Sequence, residues 1–211
     1  MNVLGDMRSE SQARWLGLAG ILAAASLASQ LAVAEQPSAA QLMDDLMWNR
    51  GPVGGSFALT DHTGQTRTDL DFRGKLMVID FGYTYCPDIC PTDLLSISQA
   101  LNLLGQAAEA VQPIFISVDP QRDTVAHLAD YVMAFHPRLL GLTGTPDRIR
   151  ETAMAYKVYY AKADDSRSQD YVVDHTAFIY LVGKDGRYVG FLPSGTTPER
   201  LSEVIRGKLS R

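Results

Sequence analysis

Two runs in the chain are apolar at almost every position: "KLMVIDFG" at residues 75–82 and "PIFISVD" at 113–119. That is the pattern of strands buried on both faces rather than on one. Between them, "PTDLLSISQALNLLG" sets Leu94, Ile97, Leu101 and Leu104 on one helical stripe, and Gly105 is placed to stop it. "DTVAHLADYVMAFHP" predicts a helix capped by Asp123 or Thr124 and ended before Pro137. "TPDRIRETAMAY" predicts another, with Thr145 as cap and Pro146 at the first helical position. "TAFIYLVGKDGRYVGFL" alternates around Lys-Asp-Gly-Arg as a hairpin does, and "TPERLSEVIRGKL" closes the chain with a capped helix. Ahead of all these, "FALTDHTGQTRTDL" reads as a hairpin around Asp-His-Thr-Gly, with His62 an exposed turn residue.

Strand, helix, strand, helix, hairpin and helix make an α/β sandwich: a central mixed sheet with flanking helices and an N-terminal β-hairpin. Open sheets of this kind place their chemistry where a buried strand ends and a helix begins. Here that junction holds "YTYCPDICP", residues 83–91, and the arrangement is thioredoxin-like.

The first 34 residues have another character. Arg8 and Arg14 precede "WLGLAGILAAASLASQLAVA", and small residues at Ala32 and Ala34 resemble an export cleavage site. Twenty such residues are also just long enough to span a bilayer. Residues 1–34 are therefore expected to be a signal peptide or an N-terminal membrane anchor. Residues 35–50 are expected to be a linker, with Met43 and Met47 making apolar contact along one helical turn beside Trp48. Residues 51–211 are expected to form the thioredoxin-like domain. Export would put the protein in the periplasm, or on the inner membrane facing it, if the source is bacterial. The chain is 46% hydrophobic, carries a net charge of −5 and has no Lys/Arg run, so nucleic acid is not an expected partner.

Cys86 and Cys90 are the chain's only cysteines. Pro91 lacks an amide hydrogen, so it suits a first helical turn and argues against a regular helix through Cys86. Near a helix N-terminus the dipole favours thiolate over thiol. A Cys-x-x-x-Cys pair alone leaves a disulfide, a redox couple and a metal site all open. His175, in "DYVVDHTAFIYLV", directly precedes an apolar strand and so is expected in a loop at one end of the sheet. Two thiolates and an imidazole suit Cu(I), and added oxygen ligands would admit Cu(II); zinc also accepts such a set with a water. His127, within a helix, and His136, before Pro137, are weaker candidates.

"YTYCPDICP", "FISVDPQRDT" and "DYVVDHTAFIYLV", in that order across residues 51–211, resemble the Sco/SenC family of exported, thioredoxin-like copper proteins. Members of that family help assemble the CuA centre of cytochrome c oxidase. The resemblance implies that Cys86, Cys90 and His175 ligate copper, as Cu(I) and Cu(II). It also implies that the cysteines form a reversible disulfide and that Asp174 supports the histidine from behind. The implied partners are the copper-bearing subunit of the oxidase, a thiol reductant and a copper donor. Thioredoxins carry Cys-x-x-Cys instead, and the peroxiredoxin pattern wants its threonine three residues before the cysteine, whereas Thr84 is two before Cys86. A thiol–disulfide oxidoreductase acting on the oxidase subunit and a redox sensor remain the rival readings.

Overall fold

A computed structural model describes residues 37–48, 50–163 and 171–210. The expected signal or anchor segment, 1–34, lies outside the described residues. The two all-apolar runs are the sheet's central pair: β3 (Leu76–Gly82) and β4 (Val111–Ser117) run parallel, in register from Leu76↔Val111 to Gly82↔Ser117. Every residue of β3 is buried, as a strand covered on both faces must be. The N-terminal hairpin, β1 (Ala58–Asp61) and β2 (Thr66–Thr68), joins through β5 (Leu140–Thr143); the C-terminal hairpin, β8 (Phe178–Val182) and β9 (Tyr188–Pro193), joins on the other side of β3. The result is a seven-stranded mixed sheet in the order β2-β1-β5-β4-β3-β8-β9.

Five α-helices are described: α1 (Ala39–Met47), α2 (Ile89–Leu104), α3 (Val125–Met133), α4 (Pro146–Ala155) and α5 (Pro198–Leu209). The last three are capped by Thr124, Thr145 and Thr197, whose hydroxyls each accept a backbone N–H three residues on. Leu94, Ile97, Leu101 and Leu104 are all buried on α2, which packs along α5. α3 presses so closely on β5 that a Cβ on Gly141 would come within 2.8 Å of Leu128 and Val132.

Four expectations change. The stretch read as a linker contains α1, started by a capping box between Ser38 and Gln41. Its buried residues are Leu42 and Leu46 rather than Met43 and Met47, which are exposed, and residues Pro37–Arg211 form one unit. β5 was not expected; four residues with a glycine among them carry too little pattern to announce a strand. His62 is half-buried rather than exposed: its Nδ1 accepts the Gly141 N–H at 3.2 Å and its own N–H donates back to the Gly141 carbonyl. Finally, β6 (Tyr160–Lys162) and β7 (Val173–His175) form a separate two-stranded ribbon, so His175 ends a strand instead of sitting in a loop.

Candidate metal centre

β3 delivers the chain to the site. It ends at Gly82, the chain turns with Cys86 N–H donating to the Tyr83 carbonyl, and α2 takes over at Ile89. Cys86 lies before the helix and is half-buried; Cys90 is in its first turn, fully buried on the same side as Leu94. The two sulfurs are not bonded to each other. Gly82 makes room for them: a Cβ there would lie 2.6 Å from Cys90 Sγ and 2.9 Å from Phe115. No larger residue fits that strand end without moving the sulfur.

The ribbon brings the third group. Tyr160 pairs with His175, and Thr176 N–H donates to the Tyr159 carbonyl. His175 Nε2 lies 3.4 Å from Cys90 Sγ, and the donor atoms of Cys86, Cys90 and His175 all fall within 4.8 Å of one another. Among the described residues no other group of histidine, cysteine and carboxylate side chains gathers three donors this closely. Nδ1 of His175 lies 3.2 Å from the Thr176 carbonyl. A carbonyl can only accept, so Nδ1 carries the proton and Nε2 turns its lone pair toward the sulfurs. The Tyr83 ring stands edge-on to the imidazole at 6.0 Å.

Asp174 was expected to support His175, but it is exposed, and the backbone of Thr176 fills that role. Strand alternation is the reason: neighbours on β7 point to opposite faces. His136 is occupied with the Arg138 N–H, far along α3's exit. His127 is closer to the site than its sequence suggested; its Nε2 is 2.8 Å from Thr84 Oγ1 and its ring stacks on Tyr85.

Burial decides the charges. The Cys90 thiol is pushed well up, first by desolvation and then by the nearby Asp80 carboxyl. The thiolate expected from the helix dipole is therefore not the resting form of Cys90, because two or three peptide dipoles do not offset removal from water. Burial also lowers His175, which keeps the imidazole neutral. Asp80 is pushed up by desolvation, then by Asp93. Each of these two carboxyls has an oxygen, Oδ2, with no hydrogen-bond partner. A half-buried set of two sulfurs and an imidazole lone pair is suited to a soft cation, which would displace the Cys90 thiol proton on binding.

Gly82, Thr176 and the Thr84–His127 contact were missed at the sequence level. Gly82 was readable in principle, as a glycine ending an all-apolar strand; the role of a backbone carbonyl such as that of Thr176 has no sequence signal.

Fold and donors together define a thioredoxin-like protein with a Cys2His cluster at the end of its central strand. The sequence profile of the SCO1/SenC family matches residues 47–210, and the chain belongs to that family. The mitochondrial SCO2 homologue of Bos taurus is 44% identical over 154 residues, covering 72% of this chain but only 58% of the bovine protein. Protein sco1 of Schizosaccharomyces pombe is 35% identical over 97% of this chain and 82% of its own length. Among solved structures, Bradyrhizobium japonicum ScoI with copper bound superposes with a TM-score of 0.69 at 44% identity, over 74% of this chain and 99% of that one. Yeast Sco1 with copper bound gives 0.70 at 36% identity, over 76% and 90%.

Proposed function

We propose that the protein is a copper chaperone that holds copper on Cys86, Cys90 and His175 and hands it to the copper-bearing subunit of cytochrome c oxidase. The observation that carries this reading is the convergence of two sulfurs and one lone pair-bearing imidazole nitrogen within 4.8 Å. The copper-bound ScoI and Sco1 structures support it, and the choice of recipient rests on the family. The donors fit copper by softness: thiolates select Cu(I), and neutral imidazole serves either oxidation state. A disulfide between Cys86 and Cys90 offers no thiolate, so loading is gated by redox state and needs a thiol reductant as well as a copper donor. Exposed apolar side chains flank the ligands in sequence, Tyr85 at 53%, Ile89 at 44% and Val172 at 50% exposure, as a surface that docks and releases a partner requires.

One observation favours a second reading. Cys86 is half-buried and Cys90 fully buried, the asymmetry of an attacking thiol and its resolving partner. On that reading the protein is an oxidoreductase for the recipient's cysteines. Complementation separates the two. In a strain lacking the protein, wild type restores oxidase activity, and His175→Ala, which keeps both thiols, does not. Full restoration by a His175→Ala variant that no longer holds copper would refute the chaperone.

A further inference from the structure

The three donors sit on two segments that share no strand pairing: the β3–α2 junction carries the cysteines, Cys86 in the loop and Cys90 in the first turn of α2, and the β6–β7 ribbon, outside the seven-stranded sheet, carries His175. A third segment touches both. It is the connection between β4 and α3, residues 118–124, which supplies no donor itself.

On the cysteine side, the fully buried Asp123 accepts the Thr84 N–H at 3.0 Å and the Thr84 hydroxyl at 2.6 Å, two residues before Cys86. Ser117 donates its hydroxyl to the same carboxylate. Because Thr84 gives its proton to Asp123, His127 Nε2 must donate to Thr84, which adds a second tie from α3. On the histidine side, buried Asp119 accepts the Tyr171 hydroxyl at 2.6 Å, four residues before His175, and is paired with Arg122. The Arg122 guanidinium lies 3.6 Å from the Tyr171 ring centroid, 4.7 Å from that of Tyr85 and 5.5 Å from that of Tyr83. Lys162 of β6 completes the join, 4.1 Å from the Tyr171 ring and 2.7 Å from Gln121. These are charged hydrogen bonds and cation–π contacts, among the stronger polar ties a half-buried site can form.

We propose that this connection is a brace that sets the spacing between the cysteine loop and His175, with Asp123 and Tyr171 as its positioning residues. Asp123 fixes where Cys86 leaves the sheet; Tyr171 fixes how far the ribbon carries the imidazole from the sulfurs. The inference rests on the copper-binding reading for its consequence but not for its geometry. The two ties act on different donors, so they predict different losses. Cu(I) depends mostly on the two thiolates and Cu(II) mostly on nitrogen and oxygen donors. Loosening the histidine side should therefore cost Cu(II) more than Cu(I), and loosening the cysteine side should cost both.

The test uses Tyr171→Phe, which keeps the ring against Arg122 and removes only the hydroxyl. The variant is expected to bind Cu(II) about tenfold more weakly, the effect of one lost hydrogen bond to a charged group. Its Cu(I) affinity should fall less than about threefold. Amide hydrogen exchange in the metal-free protein should quicken about tenfold at residues 171–176 while β3 is unchanged. Asp123→Asn is expected to weaken both copper states. Ile205→Val on α5 serves as a control, lowering stability without altering the Cu(II)-to-Cu(I) ratio. An unchanged ratio together with unchanged exchange in Tyr171→Phe would overturn the brace. Failure of the wild type to bind copper would instead refute the proposed function, and the exchange measurement would still judge the brace.

Discussion

Cys90 Sγ and His175 Nε2 lie 3.4 Å apart although 85 positions separate them in sequence. Neither is held by its own neighbours alone. Cys90 is set by the end of β3 and the first turn of α2, and His175 by a ribbon whose pairing runs through Tyr160. The cluster is therefore a product of the completed fold, and disturbing either support should register in metal affinity before it registers in the global stability.

Gly82 gives the sharpest such disturbance. An added methyl would sit 2.6 Å from Cys90 Sγ, with Phe115 closing the other side, so the sulfur has to move. Gly82→Ala is expected to lower copper affinity by about tenfold or more and to cost about 1–3 kcal/mol of stability, the range for overpacking a filled site. A competition titration and a thermal melt check it. Unchanged affinity would mean that the sulfur's position does not matter to the ligand set.

Binding should release protons. Burial keeps Cys90 as a thiol, and the metal needs the thiolate. Each proton displaced makes the apparent affinity rise with pH, by about tenfold per pH unit for one proton. Burial holds His175 neutral, so its protonation should not dominate the slope near neutrality. Cu(I) competition at pH 6, 7 and 8, against a chelator of known protonation, is expected to show affinity climbing; a flat profile would contradict a protonated resting thiol.

Asp80 is a buried carboxyl whose Oδ2 has no partner, and desolvation raises its pKa well above the ordinary value. The sign follows from linkage. A raised carboxyl contributes stability that is complete below its unfolded value of 3.8 and is lost as pH rises through the folded value. Asp80→Leu, of the same branched outline and with nothing to desolvate, is expected to be more stable than wild type at pH 7, by at least about 1 kcal/mol. The gain should shrink toward pH 4. Melts at both values test it, and a variant less stable at pH 7 would show that Asp80 has a partner worth more than its burial costs.

His175→Ala removes the imidazole and leaves both sulfurs in place. Dithiol exchange depends on the thiols, their leaving-group character and access, so the variant should still cycle between dithiol and disulfide. Stable Cu(II) binding should be lost and Cu(I) binding weakened. Thiol counting alongside copper spectroscopy distinguishes this from a histidine that only supports the fold, whose removal would impair both activities together.

The helices and central strands were legible because their signals are local and repeated: the Leu94–Leu104 stripe, the threonine caps and two runs apolar at almost every position, with Asp80 and Ser117 the interruptions inside the strands. The ribbon was not. Three residues per strand carry no periodicity, and 10 residues lie between its two halves, from Lys162 to Val173. α1 was legible and overlooked, since Ser38-Ala-Ala-Gln41 is a capping-box pattern. Cys86, Cys90 and His175, which the fold gathers, were singled out through chemistry and family likeness. What surrounds them escaped notice because it is made of long-range contacts: Asp123 was weighed as a helix cap, yet Thr124 caps α3 and Asp123 grips Thr84. The protonation of Cys90 escaped for a similar reason, since a helix N-terminus can be read from sequence while the depth of its burial cannot.

X-ray absorption at the copper edge of reduced protein loaded with one equivalent of Cu(I) reads the ligand set itself. Two sulfur neighbours and one imidazole nitrogen are expected, with one sulfur lost in Cys86→Ser or Cys90→Ser and the nitrogen lost in His175→Ala. A first shell without thiolate sulfur, or one that survives all three substitutions unchanged, would contradict that assignment.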